Sequence, residues 1–158
     1  MSDRPTPDPA HQADYDAGIR NRRRILGDAW VDRAQANVHA YNAEFQHLIS
    51  RYAWNEIWGR SALGDKTRRF MVLSMMLGTH AYEEFAMHVR AALDGPDNSR
   101  LTPDEIKEVI LQAAIYCGVP VANHAFGLFT AILREKNLLP PAATSVPAPA
   151  PASAPTSA

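Results

Sequence analysis

Apolar residues recur at helical spacing along most of the chain, and they nowhere alternate with polar residues over a useful length. The clearest case is the segment 106–113 (IKEVILQA), in which Ile106, Val109, Ile110 and Ala113 form a single apolar stripe on a helix. The preceding sequence TPDE at 102–105 has the form of a capping box with proline at the first helical position. These signals predict a helix that begins after Thr102 and ends before Gly118.

Similar signals predict the other helices, and with them an all-α fold of six or seven helices. The aromatic segment 52–59 is predicted as a connector, and Gly78 as a break or kink. The predicted helices run from Tyr15 to Leu26, from Asp28 onward, from Ala43 to Arg51, from Asp65 as the cap to Leu77, from His80 to about Asp94, and from Pro120 in its opening turn to Lys136.

The segment 70–77 (FMVLSMML) is apolar on nearly every side, so we expect it to be buried all round. A domain of this size hides such a helix poorly by itself, which favours a homo-oligomer. The composition places this single domain at residues 14–138. It lies between a flexible N-terminus at 1–13 and a disordered tail rich in proline and alanine at 139–158.

The net charge of −1 over 158 residues gives no reason to expect nucleic acid or an anionic membrane as a partner. The arginine-rich segment 20–24 is interpreted as a solvated or ion-paired face. No apolar run approaches a membrane span or the core of a signal peptide, so we expect a cytoplasmic location. The single cysteine, Cys117, excludes an internal disulfide and is interpreted as a small buried apolar residue.

His80, Glu84 and His88 follow one another at intervals of four residues, which places them on one face of a helix. Two imidazoles and a carboxylate among apolar residues favour proton chemistry. In the alternative interpretation, His80 lies in a loop after Gly78 and the other two belong to a solvated face. Zinc or iron is a further alternative, but the HExxH arrangement and a further carboxylate ligand are missing, so no metal is expected.

Four segments, which together span most of the predicted domain, carry a resemblance to a known family. They are LGDAWVDRA at 26–34, FQHLISRYAWNEIW at 45–58, EEFAMHVRAAL at 83–93 and TPDEIKEVILQAAIYCGVPVANHAF at 102–126. With them the chain resembles the carboxymuconolactone decarboxylase family, and within it the 4-carboxymuconolactone decarboxylases. The resemblance implies an all-helical fold shared with alkyl hydroperoxidase D-like proteins. It also implies a homo-oligomer, commonly a trimer or hexamer, with no metal and no organic cofactor.

The peroxidase relatives carry a CxxC motif ahead of the histidine that matches His88. In this chain Ala81 and Glu84 stand at those two positions. Without a redox pair, thiol peroxidase chemistry is excluded.

The activity that the resemblance implies is cofactor-independent decarboxylation of 4-carboxymuconolactone to 3-oxoadipate enol-lactone, in protocatechuate catabolism through the β-ketoadipate pathway. We expect Glu84 and His88 to handle the proton, with the terminal donor undecided, and His80 to polarise the carbonyl or bind a carboxylate. The expected substrate-binding residues are Arg60 first, then Arg51 and Arg90, with Trp54 and Trp58 as walls that exclude water.

Two other functions stay open at this stage. One is a different cofactor-free decarboxylase or isomerase that acts on a related lactone or β-keto acid. The other is a non-catalytic helical, oligomeric binding protein. Burial distinguishes them, because an enclosed pocket around Glu84 and His88 favours chemistry, whereas full exposure of both favours a scaffold.

Overall fold

The computed structural model describes residues 9–141, and those residues form helices with no β-strand. The predicted all-α fold is confirmed. The helices are α1 Pro9–Leu26, α2 Asp28–Ala36, α3 Ala43–Ile49, α4 Asp65–Gly78, α5 Tyr82–Leu93, α6 Pro103–Tyr116 and α7 Val119–Glu135, with a π-helical segment, Ser50–Ile57, directly after α3.

The larger hydrophobic core lies between α4, α5, α6 and α7, where Phe85 and Ile110 are fully buried. The predicted capping box at the start of α6 is confirmed. The Thr102 hydroxyl accepts a hydrogen bond from the Glu105 amide at 3.2 Å, and the Glu105 carboxylate accepts one from the Thr102 amide at 2.9 Å. Gly118, with φ of +99°, separates α6 from α7 in a conformation that favours glycine. Cys117 is half-buried and packs against this core.

A second core joins α1, α2, α5 and the π-helical segment around the stacked rings of Trp54 and Trp58, whose centroids are 5.5 Å apart. The prediction of a connector at 52–59 is wrong for residues 52–57, because these belong to the π-helix. There the Trp58 amide donates to the Ala53 carbonyl five residues earlier, at 3.1 Å. Gly18 of α1 touches this segment so closely that a β-carbon would overlap the Ser50 carbonyl oxygen.

Two local predictions are wrong. Helix α1 begins at Pro9 rather than Tyr15. Asp65 is not the cap of α4, because Gly64 occupies that position and the Asp65 carboxylate pairs with Arg24 instead. Within the single chain α4 is buried on one face, and Met75 on the opposite face is 58% exposed. Burial of segment 70–77 on all sides, which the sequence analysis connects with a homo-oligomer, stays a prediction. Residues 1–8 and 142–158, which include most of the predicted flexible end and tail, lie outside the described residues.

Arginines of the segment 20–24 make their contacts with other residues of the same chain. Arg23 pairs with Asp28 and Asp32, whereas Arg22 is buried with its guanidinium 5.0 Å from the ring of Trp30. Ion pairing within the chain thus accounts for part of this basic segment.

Candidate functional site

A cleft of about 720 Å³ opens between the α4–α5 connector, the first turns of α5 and the middle of α7. A volume of this order suits a small organic ligand. Its side chains combine imidazole, carboxylate, guanidinium and phenol groups over an apolar floor. The lining residues are His80, Ala81, Tyr82, Glu83, Glu84, Ala86, Arg90, His124 and Leu128.

His80 reaches this cleft from the α4–α5 connector and not from a helix. Helix α4 ends at Gly78 and α5 begins at Tyr82, so the predicted helical stripe is wrong for His80. The residue has φ of +59°, a conformation that glycine usually adopts after a helix end. Its ring lies parallel to that of Tyr82 with the centroids 5.9 Å apart. The structure nevertheless brings His80 and Glu84 to one cleft.

His124 is a cleft residue that the sequence reasoning did not identify. It lies on α7, and its ring centroid is 4.1 Å from that of Tyr82 at a tilt of 33°. No local spacing connects position 124 with positions 80 to 84, because only the packing of α5 against α7 brings them together. The one available signal was a polar imidazole on a strongly apolar helix.

Arg90 is the only arginine among the residues that line the cleft, and a partner on α7 holds it. Its Nε and Nη2 donate to Glu135 Oε2 at 3.1 and 2.9 Å, and its Nη1 donates to the Ala86 carbonyl at 3.4 Å. These hydrogen bonds keep the pKa of Glu135 below its ordinary value. Much of the positive charge of Arg90 is therefore already compensated within the chain.

His88 faces the interior, is only 8% exposed and is not among the residues that line the cleft. Burial, together with the nearby charge of Arg69, lowers the pKa of His88 to about 4, so its imidazole is neutral at neutral pH. Within the described chain no hydrogen bond joins His88 to Glu84, which is exposed on the cleft. The structure thus separates the two predicted partners by orientation, although they stand one helical turn apart.

Arg69 is a second buried group that the sequence reasoning missed. It is 2% exposed, and its Nη2 donates to the Ile25 carbonyl at 3.0 Å. Its Nε and Nη1 have no hydrogen-bond partner in residues 9–141. Burial and the charge of Arg24 lower the pKa of Arg69 to about 10, which leaves it cationic at neutral pH.

The four other predicted binding residues do not line the cleft of the described chain. Trp54 and Trp58 belong to the second core, and Arg51 is half-buried in the π-helical segment. Arg60 is exposed beyond that segment, where its carbonyl accepts a hydrogen bond from Arg68. Their predicted roles remain predictions.

Two further features of the described residues bear on the class of site. Among residues 9–141 no three or more histidine, cysteine, aspartate or glutamate side chains are grouped so that they could hold a metal ion. No helix in the same range combines the length and the apolar character that a membrane crossing requires.

The fold and the cleft define a helical protein whose cleft, at the start of α5, is lined by imidazole and carboxylate groups. Comparison with known proteins identifies its family. The model of the carboxymuconolactone decarboxylase family matches residues 43–131. The chain belongs to this family, as the resemblance predicted.

Similar proteins are decarboxylases of two different acids. The chain is 33% identical to 4-carboxymuconolactone decarboxylase of Acinetobacter baylyi over 126 residues, which cover 80% of this chain and 91% of that protein. It is 36% identical to nitrosuccinic acid decarboxylase npaB of Metarhizium robertsii over 120 residues, 76% of this chain and 81% of that protein. A 39-residue match to 4-carboxymuconolactone decarboxylase of Pseudomonas putida, at 51% identity, covers 25% of this chain and 81% of that sequence. The family match and these similarities identify the chain as a decarboxylase of the carboxymuconolactone decarboxylase family, without specifying the acid.

Proposed function

We propose that this protein decarboxylates 4-carboxymuconolactone to 3-oxoadipate enol-lactone without a cofactor, in the catabolism of protocatechuate. The observation that carries the proposal is the cleft in which Glu84, His80 and Arg90 meet, in a chain that is similar to a 4-carboxymuconolactone decarboxylase along 91% of that relative. A carboxylate, an imidazole and a guanidinium suit proton transfer to an anionic substrate.

The reaction needs no external electron sink, because the substrate contains one. When CO₂ leaves the γ carbon, the electron pair of the broken bond passes through the ring double bond into the lactone carbonyl and forms a dienolate. A proton then adds to the α carbon to give the enol-lactone. The protein has to stabilise the dienolate oxygen, hold the remaining carboxylate and deliver this proton.

We assign the proton to Glu84, since its side chain faces the cleft whereas that of His88 faces the interior. An imidazole with a pKa of about 4 carries almost no proton at neutral pH, so we leave His88 out of the proton transfer. Of the two roles that the sequence analysis left open for His80, we assign it contact with a substrate carboxylate, because it lines the same cleft as Glu84.

We further propose that the protein acts as a homo-oligomer, such as a trimer or hexamer. The single chain leaves an apolar surface on α4 and around the α6–α7 turn, which a second copy would cover. Light scattering on the purified chain measures the assembly, and a monomer at assay concentration would contradict it. The exposed side chains of this surface include Met71, Met75, Ile115, Tyr116 and Val119.

The direct test supplies carboxymuconolactone and follows CO₂ release together with enol-lactone formation by NMR. We expect turnover that dialysis against a strong chelator leaves unchanged. Absence of turnover in a folded protein would contradict the substrate assignment. Activity lost on dialysis and restored by one metal would contradict the cofactor-free mechanism.

A second substrate is favoured by the 36% identity to a nitrosuccinic acid decarboxylase. A nitro group also accepts the electron pair of a departing carboxylate on the adjacent carbon, so the same protein tasks apply. A competition assay with both acids measures the ratio of their kcat/KM values, which decides between them. Turnover of nitrosuccinate alone would assign the chain to that chemistry.

A further inference from the structure

We propose that His80 and His124, as imidazolium ions, form the anchor for the carboxylate that the product retains. The inference rests on the proposed function and specifies which residues recognise the substrate. It applies to both candidate acids, since each loses one carboxylate and keeps another. Its first support is the charge of the cleft.

Without the histidines, the cleft supplies no net positive charge for an anionic substrate. Its other charged lining groups are Glu83, Glu84 and Arg90, which give a formal net charge of −1, or of 0 when Glu84 carries the proton that it delivers. Arg90 is in addition bonded to Glu135. A substrate with two carboxylates therefore needs further positive charge, which protonation of both imidazoles supplies.

The two imidazoles are also available to a ligand. Both are exposed at the cleft, and neither ring makes a hydrogen bond to another described residue. Each contacts the ring of Tyr82, with centroid distances of 5.9 and 4.1 Å, so a common aromatic support positions them. Their N–H groups are thus free to donate charge-assisted hydrogen bonds to a carboxylate.

The backbone at His80 explains how this residue reaches the cleft. Its φ of +59° lies in the left-handed region, and the Ala81 amide donates to the Met76 carbonyl at 2.9 Å, so the chain leaves α4 through an ordinary helix C-terminal turn. This turn places an imidazole, rather than a bare backbone, at the cleft and beside Tyr82.

The anchor predicts that the substrate binds more weakly as the pH rises. The other titratable or charged groups that line the cleft are Glu83, Glu84, Arg90 and Tyr82. Histidine is the side-chain type that ordinarily changes charge between pH 5 and 8, whereas carboxylates, guanidinium groups and phenols ordinarily do not. KM of the wild-type protein should therefore rise between pH 6 and pH 8. The variant lacking both histidines should show a much flatter dependence.

The test measures kcat and KM at pH 6, 7 and 8 for His124→Gln, His80→Gln and the double variant. The control is His11→Gln, which alters an exposed histidine of α1 outside the cleft. At pH 6 we expect each single variant to raise KM about tenfold or more, with kcat within about twofold of wild type, because a charge-assisted contact is lost. His124→Lys, which restores a permanent charge, should keep KM at pH 8 well below that of His124→Gln.

The possible failures are distinguishable. Turnover by the wild-type protein with an unchanged KM in both histidine variants would overturn the anchor and leave the proposed function intact. A fall in kcat at constant KM would also overturn it, because the residues would then act in proton transfer. Wild-type protein that turns over neither acid would overturn the proposed function and the anchor together.

Discussion

Histidine side chains lie in opposite environments in the open cleft and in the buried interior beneath α5. In the cleft His80 and His124 are exposed, lie on an aromatic support and keep their nitrogens free. In the interior His88 is held neutral by burial and by Arg69. The environment of an imidazole, and not its position in a sequence pattern, therefore decides whether it is accessible to a substrate or is held in one protonation state by the fold.

The largest expected effect separates the two regions by activity. Glu84→Gln should lower kcat/KM by about 100-fold or more, because it removes the proton-transfer group of the cleft. Its thermal midpoint should stay at the wild-type value, since the side chain is exposed. Steady-state kinetics and thermal denaturation measure the two quantities, and Glu44→Gln, an exposed change on α3, is the matched control. Near wild-type turnover in Glu84→Gln would remove Glu84 from the mechanism.

The second effect separates the regions by stability. The pKa of His88 is about 4 in the folded chain and 6.5 for an ordinary imidazole, so between these values the unfolded chain binds a proton that the folded chain does not. Stability should therefore fall as the pH drops from 6.5 towards 4, and at pH 5 this residue should cost about 2 kcal/mol relative to pH 7. His88→Gln should show a correspondingly shallower pH dependence of the free energy of unfolding in urea. Equal slopes in both proteins would contradict the buried, neutral imidazole.

A smaller effect is expected at the start of α6, which lies outside both regions and where a change should alter stability without altering activity. Thr102→Ala removes the hydroxyl that accepts from the Glu105 amide, and it should lower the free energy of unfolding by about 1 kcal/mol. The kinetic constants should not change, because the cap lies outside the cleft. Chemical denaturation and the decarboxylase assay measure these outcomes. An altered KM would show that the start of α6 affects the cleft.

The smallest expected effect separates the two causes that lower the pKa of His88, which are burial and the charge of Arg69. Arg69→Met removes the positive charge near His88 while it keeps an apolar side chain of similar length in the buried space. The pKa of His88 should rise, but it should stay below its ordinary value because burial, the larger cause, remains. NMR titration of the imidazole measures the change, and Arg68→Met is the neighbouring control. An unchanged pKa would assign the whole shift to burial.

The sequence predicted the elements whose ends carry chemical signals. The capping box at 102–105 and Gly118 mark the bounds of α6, and both act as their types predict. The π-helical segment was missed because its bonds span five residues, a pattern that no local composition announces. The burial of Arg69 was missed because this residue stands beside Arg68 in the charged sequence before the apolar segment 70–77. Such a sequence is typical of a solvent-exposed first turn of a helix.

The site was only partly predictable for a related reason. Glu84 could be found from its spacing, and the structure places it on the cleft. His124 lies 40 positions later along the chain, so only tertiary packing connects the two. His80 was predicted on a helix because its spacing fits one, whereas the backbone leaves the helix at Gly78. Spacing therefore identifies residues within one element, and contacts between elements need the fold.

Gly18 determines how α1 is aligned with the π-helical segment, Ser50–Ile57. Because the Ser50 carbonyl occupies the place of a β-carbon, a shift of α1 by one residue in either direction would press Ala17 or Ile19 against that oxygen. Gly18 therefore fixes the position of α1 along the π-helical segment, because no residue with a β-carbon fits at this point. Insertion or deletion of one residue before Asp14 should be tolerated, whereas the same change between Gly18 and Ile25 should misalign the helix with the tryptophans it covers.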